Sequence, residues 1–261
     1  MENNKGKKGG LRLHNIQKQS QKNEPLITVI TVVYDGEKYL EKTIQSVINQ
    51  TYKNLEYIII DGGSTDATID IIKKYESQID YWVSEPDDGI YDAMNKGIDL
   101  ASGDWINFMN AGDMFYDKSV LESIHNKLKG VFNYGHTLQF DSLGYTREVL
   151  ASDKLWKRRM PYCHQSLFVR ANYLKNNMFD ISLKISGDYS QYIKAKYHKQ
   201  EFYLLDTFIS KFQLGGVSEQ QEHLTLMMSE YHKILSKYSI VSALSILSMR
   251  RIKQMFGCYK L

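Results

Sequence analysis

Four short polar turns carry the side chains in this sequence that could do chemistry. Asp61 opens Asp61-Gly62-Gly63-Ser64-Thr65-Asp66, and Asp113 closes Asn110-Ala111-Gly112-Asp113. Asp188 closes Ser186-Gly187-Asp188, and Tyr34-Asp35-Gly36 ends an apolar run. A carboxylate can accept hydrogen bonds from a ring N–H or a hydroxyl, hold a hard cation such as Mg²⁺ or Mn²⁺ through oxygen, or take a proton from an attacking hydroxyl. Each Asp also has a plain structural use. Asp61 could stabilise the glycine turn, Asp113 could cap a helix or turn, and Asp188 could cap the helix that follows it. Two further clusters are polar. Glu85-Pro86-Asp87-Asp88 with Asp92, Asn95 and Lys96 surrounds a helix start, where acids are favoured by the helix dipole alone. His164-Gln165 precedes the apolar stretch Ser166–Val169, where a lone His is more often structural.

The elements around these turns follow from periodicity. Leu26–Val33 (LITVITVV) is apolar without alternation, as expected for a strand buried on both faces. Residues 37–49 place Leu40, Ile44, Val47 and Ile48 at helical spacing. Strands are predicted at 55–60, 80–84 and 105–109, with helices ending near Tyr75 and spanning Gly89–Ala101. This strand–helix alternation predicts an α/β chain with a mostly parallel central sheet flanked by helices. Ligands bind such sheets beyond the carboxyl ends of the strands, where the Tyr34, Asp61, Asp87 and Asp113 turns fall. The second half is less regular: a helix over 118–129, strands near 131–139 and 164–169, a helix over 187–197, an extended stretch over 202–212, and one or two helices in 219–256.

Three runs in fixed order carry a resemblance: ITVVYDGEKYLEKTIQSVINQTY, EYIIIDGGSTDATIDII and EPDDGIYDAMNKGIDLASGDWINFMNAGDMF. The chain resembles family 2 glycosyltransferases, and within them the bacterial enzymes that build O-antigen or capsule repeat units. The likeness is close over residues 26–130 and looser to about 218. It implies a GT-A fold, an inverting transfer from a nucleotide diphosphate sugar (a UDP-sugar foremost), and a saccharide or lipid-linked saccharide acceptor in surface polysaccharide biosynthesis. Asp35 stands where the family often has Asn, and Gly62 and Gly112 each stand where a second Asp is common.

Carried over position by position, the resemblance makes Asp113 the ligand of a divalent cation, Mn²⁺ or Mg²⁺, with Asn110 a weak helper. It makes Asp188 the general base that activates the acceptor. Val32, Val33, Tyr34, Asp61, Asp92 and Asn95 become nucleotide-sugar-binding residues, and His164 and Gln165 line the acceptor side. Gly215-Gly216-Val217-Ser218 resembles a loop that closes near the diphosphate. The expected organisation is a disordered basic tail over 1–24, a transferase domain over 25–218 with its nucleotide-sugar half at 25–115, and a helical segment over 219–261.

Composition narrows the partners. The tail holds six Lys/Arg and two acids, and without it the chain has 27 basic and 28 acidic residues. A near-neutral body argues against nucleic acid as a partner. The two cysteines, Cys163 and Cys258, fit a reducing, cytoplasmic setting. Residues 239–256 (SIVSALSILSMRRIKQMF) combine apolar helical spacing with Arg250, Arg251 and Lys253. They can pack on the domain or lie peripherally on an anionic inner-membrane surface. A nucleotidyltransferase is the alternative enzyme, though the loop after the first strand is acidic rather than Gly/Lys-rich. A catalytically silent nucleotide-sugar-binding module is the non-enzyme alternative. The absence of GxGxxG after that strand disfavours a Rossmann dehydrogenase.

Overall fold

The computed structural model describes residues 6–152, 160–214 and 223–238. Its centre is a parallel array, β2 (Ile27–Val33), β3 (Leu55–Asp61), β4 (Tyr81–Ser84) and β5 (Trp105–Phe108), in the order β4-β3-β2-β5. Helices α1 (Leu40–Ile48), α2 (Thr68–Lys74) and α3 (Ile90–Leu100) form the crossovers. β2 and β3 are buried along their whole length, because residues alternate between two cores. Ile30, Val32, Ile58 and Ile60 pack under α3, while Val29, Val33, Tyr57 and Ile59 face the side of α1 and α2. The expected apolar stripes are observed: Leu40, Ile44 and Val47 on α1, and Met94 and Ile98 on α3. Gly97 lets α3 lie close, since a Cβ there would stand 2.6 Å from Ile30 Cγ2.

The second half extends the sheet in mixed directions. The short β6 (Met114–Phe115) precedes α4 (Val120–Ile124), which continues as a 3₁₀ turn, and then come β7 (Phe132–Phe140) and β8 (Thr146–Val149). β9 (Leu167–Arg170), α5 (Ala171–Lys175), α6 (Gly187–Tyr197), β10 (Phe202–Gln213) and α7 (His223–Lys237) complete the described chain. β9 joins β5 antiparallel, β7 joins β9 antiparallel, and β10 runs parallel to β7. The strand expected over 164–169 begins later, because His164–Ser166 form a 3₁₀ turn. β6, β8 and α5 are additions to the expected elements. Residues 239–256 and the Gly215–Ser218 loop lie outside the described residues. Among the described residues no helix is long and apolar enough to cross a membrane.

The tail departs from expectation. From residue 6 onward it is ordered, and β1 (Lys7–Gly9) pairs antiparallel with β4 at the edge of the sheet. The reason is electrostatic. Glu56 and Asp80 in the body are each 2% exposed, and the tail supplies their cations. The Arg12 guanidinium binds the Glu56 carboxylate and donates to the Leu100 carbonyl at 2.8 Å. Lys18 Nζ lies 2.8 Å from Asp80 Oδ2. Thr28 Oγ1 and the Ser102 N–H complete the hydrogen bonding of Glu56 at 2.6 and 2.8 Å. Low apolar content makes a segment disordered only when it has nothing else to bury against. Arg12→Ala leaves the buried Glu56 charge without its cation and should destabilise the fold by about 1–3 kcal/mol, read by chemical denaturation at pH 7.

Candidate active site

The strand register sets the floor of the site. Val33, Asp61 and Ser84 are laddered side by side, so β2, β3 and β4 finish level. β5 ends at Phe108, opposite Ile30, before β2 has finished. The chain therefore turns in the recess beyond β5 through Met109–Asp113. Thr43 of α1 pins this turn: its Oγ1 accepts from the Gly112 N–H at 3.0 Å and donates to the Asp113 carbonyl at 2.7 Å. Gly112 has φ +103, a conformation that glycine adopts without the strain a side chain brings. That is the local reason a carboxylate is missing there.

Asp113 is 6% exposed at the wall of a cavity of about 470 Å³. Its Oδ2 accepts from Gln165 Nε2 at 2.5 Å, and its Oδ1 from the Gln213 N–H at 3.2 Å. Burial pushes its carboxyl from the usual 3.8 to about 7, against the lowering effect of these two hydrogen bonds. His164 and Gln165 share the cavity wall. Asn110 donates to His164 Nε2 at 3.0 Å, and burial pushes the imidazole down to about 4, so it is neutral at physiological pH. Asn110 Oδ1 and Gln165 Oε1 are buried with no hydrogen-bond partner. Two unsatisfied amide oxygens beside a buried carboxylate form an oxygen-donor set that suits Mg²⁺ or Mn²⁺. No cluster of three or more His, Cys, Asp or Glu exists among the described residues.

Asp188 lines the same cavity from the first turn of α6. Its Oδ1 accepts from the Tyr189 N–H at 2.7 Å, and Ser186, not Asp188, occupies the cap position. Burial and then the nearby Glu230 charge push its carboxyl up to about 6, against the lowering effect of its backbone hydrogen bonds. Sequence separation hid two neighbours that also line the cavity, Lys184 and Tyr91. The Tyr91 hydroxyl donates to the Ile185 carbonyl at 2.7 Å, tying α3 to the segment before Asp188.

The other expected residues are distributed differently. Val32 and Val33 are buried, and their carbonyls accept from Ala111 and Gly62 N–H groups at 3.4 and 2.9 Å. Tyr34 is 66% exposed, with its ring beside Gly62. Asp61 is fully buried and saturated. It accepts from the Gly63 and Ser64 N–H groups at 3.1 and 3.0 Å, from Ser84 Oγ at 2.6 Å, and from Ser64 Oγ. This is the turn-stabilising arrangement. Asp87, from the polar turn after β4, fills the space a side chain at Gly62 would need: a Cβ there would lie 2.5 Å from Asp87 Oδ2. Asp92 and Asn95 are not in the cavity wall. Asp92 accepts from the Asp88 N–H at 3.1 Å and pairs with Lys96, and Asn95 makes two bonds to the Phe179 backbone. Both brace the loops on either side of α3.

The family model for glycosyl transferase family 2 matches residues 28–170. An uncharacterized glycosyltransferase of Mycobacterium tuberculosis is 40% identical over 107 residues, which cover 41% of each chain. A PGL/p-HBAD biosynthesis glycosyltransferase of Mycobacterium bovis is 28% identical over 165 residues, 56% of this chain and 59% of that one. The chain thus spans about half the length of the curated relatives it matches. Among solved structures, S. aureus TarS in complex with UDP-GlcNAc superposes with TM-score 0.63 at 18% identity, covering 88% of this chain and 70% of that one. A mannosyltransferase from Pyrobaculum calidifontis in complex with GDP-Man and Mn²⁺ gives TM-score 0.63 at 13% identity, covering 92% and 75%. At these identities the likeness is one of fold, the GT-A arrangement.

One prediction concerns the buried carboxylate without metal. A carboxyl whose folded pKa is raised adds stability below its unfolded value, near 4, and loses it as pH rises through about 7. In metal-free protein, Asp113→Asn should therefore melt at or below the wild-type temperature at pH 4 and above it at pH 8. Thermal melts across that range check the crossover.

Proposed function

Because the chain belongs to glycosyl transferase family 2, we propose that it moves a sugar, with inversion, from a UDP-sugar to a hydroxyl of a saccharide or lipid-linked saccharide in surface polysaccharide assembly. The observation that carries this reading is the pairing of Asp113 and Asp188 on one cavity, each a desolvated carboxylate. One stands beside unsatisfied oxygen donors and the other at the first turn of a helix on the acceptor side.

The donor's nucleoside lies over the ends of β2 and β3. Val32 and Val33 end β2 beneath it with their side chains in the two cores, the exposed Tyr34 ring packs on the base, and Asp61 holds the Gly62–Ser64 turn that receives it. Asp92 and Asn95 hold the loops along the donor rather than touching it. Asp113, with the Asn110 and Gln165 amide oxygens, would hold a divalent cation, which when bound supplies neutralising charge for the leaving diphosphate. His164 and Gln165 form the wall against which the acceptor lies, and the neutral imidazole can hydrogen-bond a hydroxyl. Asp188 takes the acceptor proton as its oxygen attacks the anomeric carbon, and the anomeric C–O bond breaks with its electron pair going to the diphosphate.

Asp188→Asn should lower turnover by about 10²–10⁴-fold while UDP binding, read by thermal shift with Mn²⁺, persists. Near-normal turnover in that variant would sink the assignment. The base works only when ionised. At saturating Mn²⁺, turnover should be half-maximal near pH 6, the value to which burial brings Asp188, and level off about one unit above it. A lipid-linked acceptor would go with peripheral contact of residues 239–256 on an anionic bilayer. Liposome flotation of the full chain against a 1–238 truncation reads this, and equal soluble fractions count against it.

A further inference from the structure

Glu230 is a buried carboxylate, 6% exposed, on α7. No cation is paired with it among the described ion pairs. It is satisfied instead by three consecutive backbone N–H groups: Lys184 at 2.6 Å, Ile185 at 3.1 Å and Ser186 at 2.9 Å. Ser186 is the cap residue of α6, and Asp188 follows two positions later. A carboxylate receiving three N–H bonds at a helix start is held by charge-assisted hydrogen bonds and by the favourable end of the helix dipole. The segment it grips is the one that supplies Lys184, Ile185 and Asp188 to the cavity wall.

We propose that Glu230 is a positioning residue for the transfer step: it clamps the Lys184–Ser186 backbone and thereby fixes where Asp188 meets the acceptor. The proposal rests on the reading of Asp188 as the general base. Two contacts share the load on the same segment. Tyr91 binds the Ile185 carbonyl from α3, and its ring packs where a Gly187 Cβ would lie. Tyr231, next to Glu230, stacks on Tyr189 with ring centres 3.9 Å apart. Of these three contacts, Glu230 is the one that carries a carboxylate near Asp188. The other ionisable groups around Asp188 are Lys184 on the same loop, His164 and Tyr162 on the segment before β9, Tyr192 on α6, Asp113 across the cavity, and Tyr39 and Tyr91 on its rim.

The experiment compares Glu230→Ala, Glu230→Gln and Ile234→Ala. Ile234 is a 4% exposed core residue on the same helix and serves as a packing control. For Glu230→Ala, we expect faster amide hydrogen exchange at residues 184–186 and a fall in kcat of about 10–100-fold, the loss that a misplacement on the scale of an ångström brings. UDP binding with Mn²⁺ should be unchanged. Glu230→Gln keeps the shape and should retain more turnover, with the acid limb of kcat against pH moved to lower pH because the like charge is gone. A purely structural residue would not move that limb. The proposal is overturned if exchange at 184–186 is unaltered, if kcat of Glu230→Ala matches Ile234→Ala at equal loss of Tm, or if the limb of Glu230→Gln stays in place. Should Glu230→Ala not fold, the isosteric Gln variant still decides the matter. An active Asp188→Asn would sink the base assignment itself. An inactive Asp188→Asn beside unimpaired Glu230 variants would sink the clamp alone.

Discussion

Everything at the site depends on the register of three parallel ladders. β2, β3 and β4 end in line, and β5 ends short of them. The level ends make a shelf with Tyr34, Asp61 and Asp87 along it, and the short strand leaves the recess that Asp113 occupies. Register in a fully buried sheet is fixed firmly, since a slip by one residue would exchange the two sets of apolar side chains between the α3 face and the α1/α2 face. The position of the Asp113 carboxylate is therefore set by packing far beneath it.

Two kinds of carboxylate result, and their partners distinguish them. Asp61 and Glu230 are surrounded by N–H and O–H donors, and they act as struts. Asp113 and Asp188 have fewer donors than their burial calls for, so their protons are held more tightly. A raised proton affinity at a cavity wall marks a group suited to meeting a cation or accepting a proton. The same acidic group thus differs in proton affinity according to what surrounds it.

The first half of the fold was legible because its strands and helices are strongly periodic, and α1 and α3 bury the stripes their spacing announces. The second half was not, because β7, β9 and β10 find their places through long-range and partly antiparallel pairing that local pattern does not encode. The tail was misread by treating charge as separable. Its cations balance acids buried in the body, so the near-neutral sum over the rest of the chain described a body with two carboxylates missing their partners. Within the site, the coordinates bring Asp113, His164, Gln165 and Asp188 to one cavity wall, with Gln165 bonded to Asp113. The saturated state of Asp61 and the bracing bonds of Asn95 needed coordinates. Glu230 did leave a trace: it stands on the buried stripe of its helix, between Met227 and Ile234, where an acid has to have a reason.

That placement ties the site to the order in which the chain is made. The motif-bearing strands leave the ribosome first and can settle into their sheet early. The segment carrying Asp188 has its three N–H groups unanswered until α7, 44 residues beyond Ser186 at the point of contact, has been synthesised and docked. A nascent chain can thus complete the β2–β5 ladder well before the segment carrying Asp188 is fixed in place.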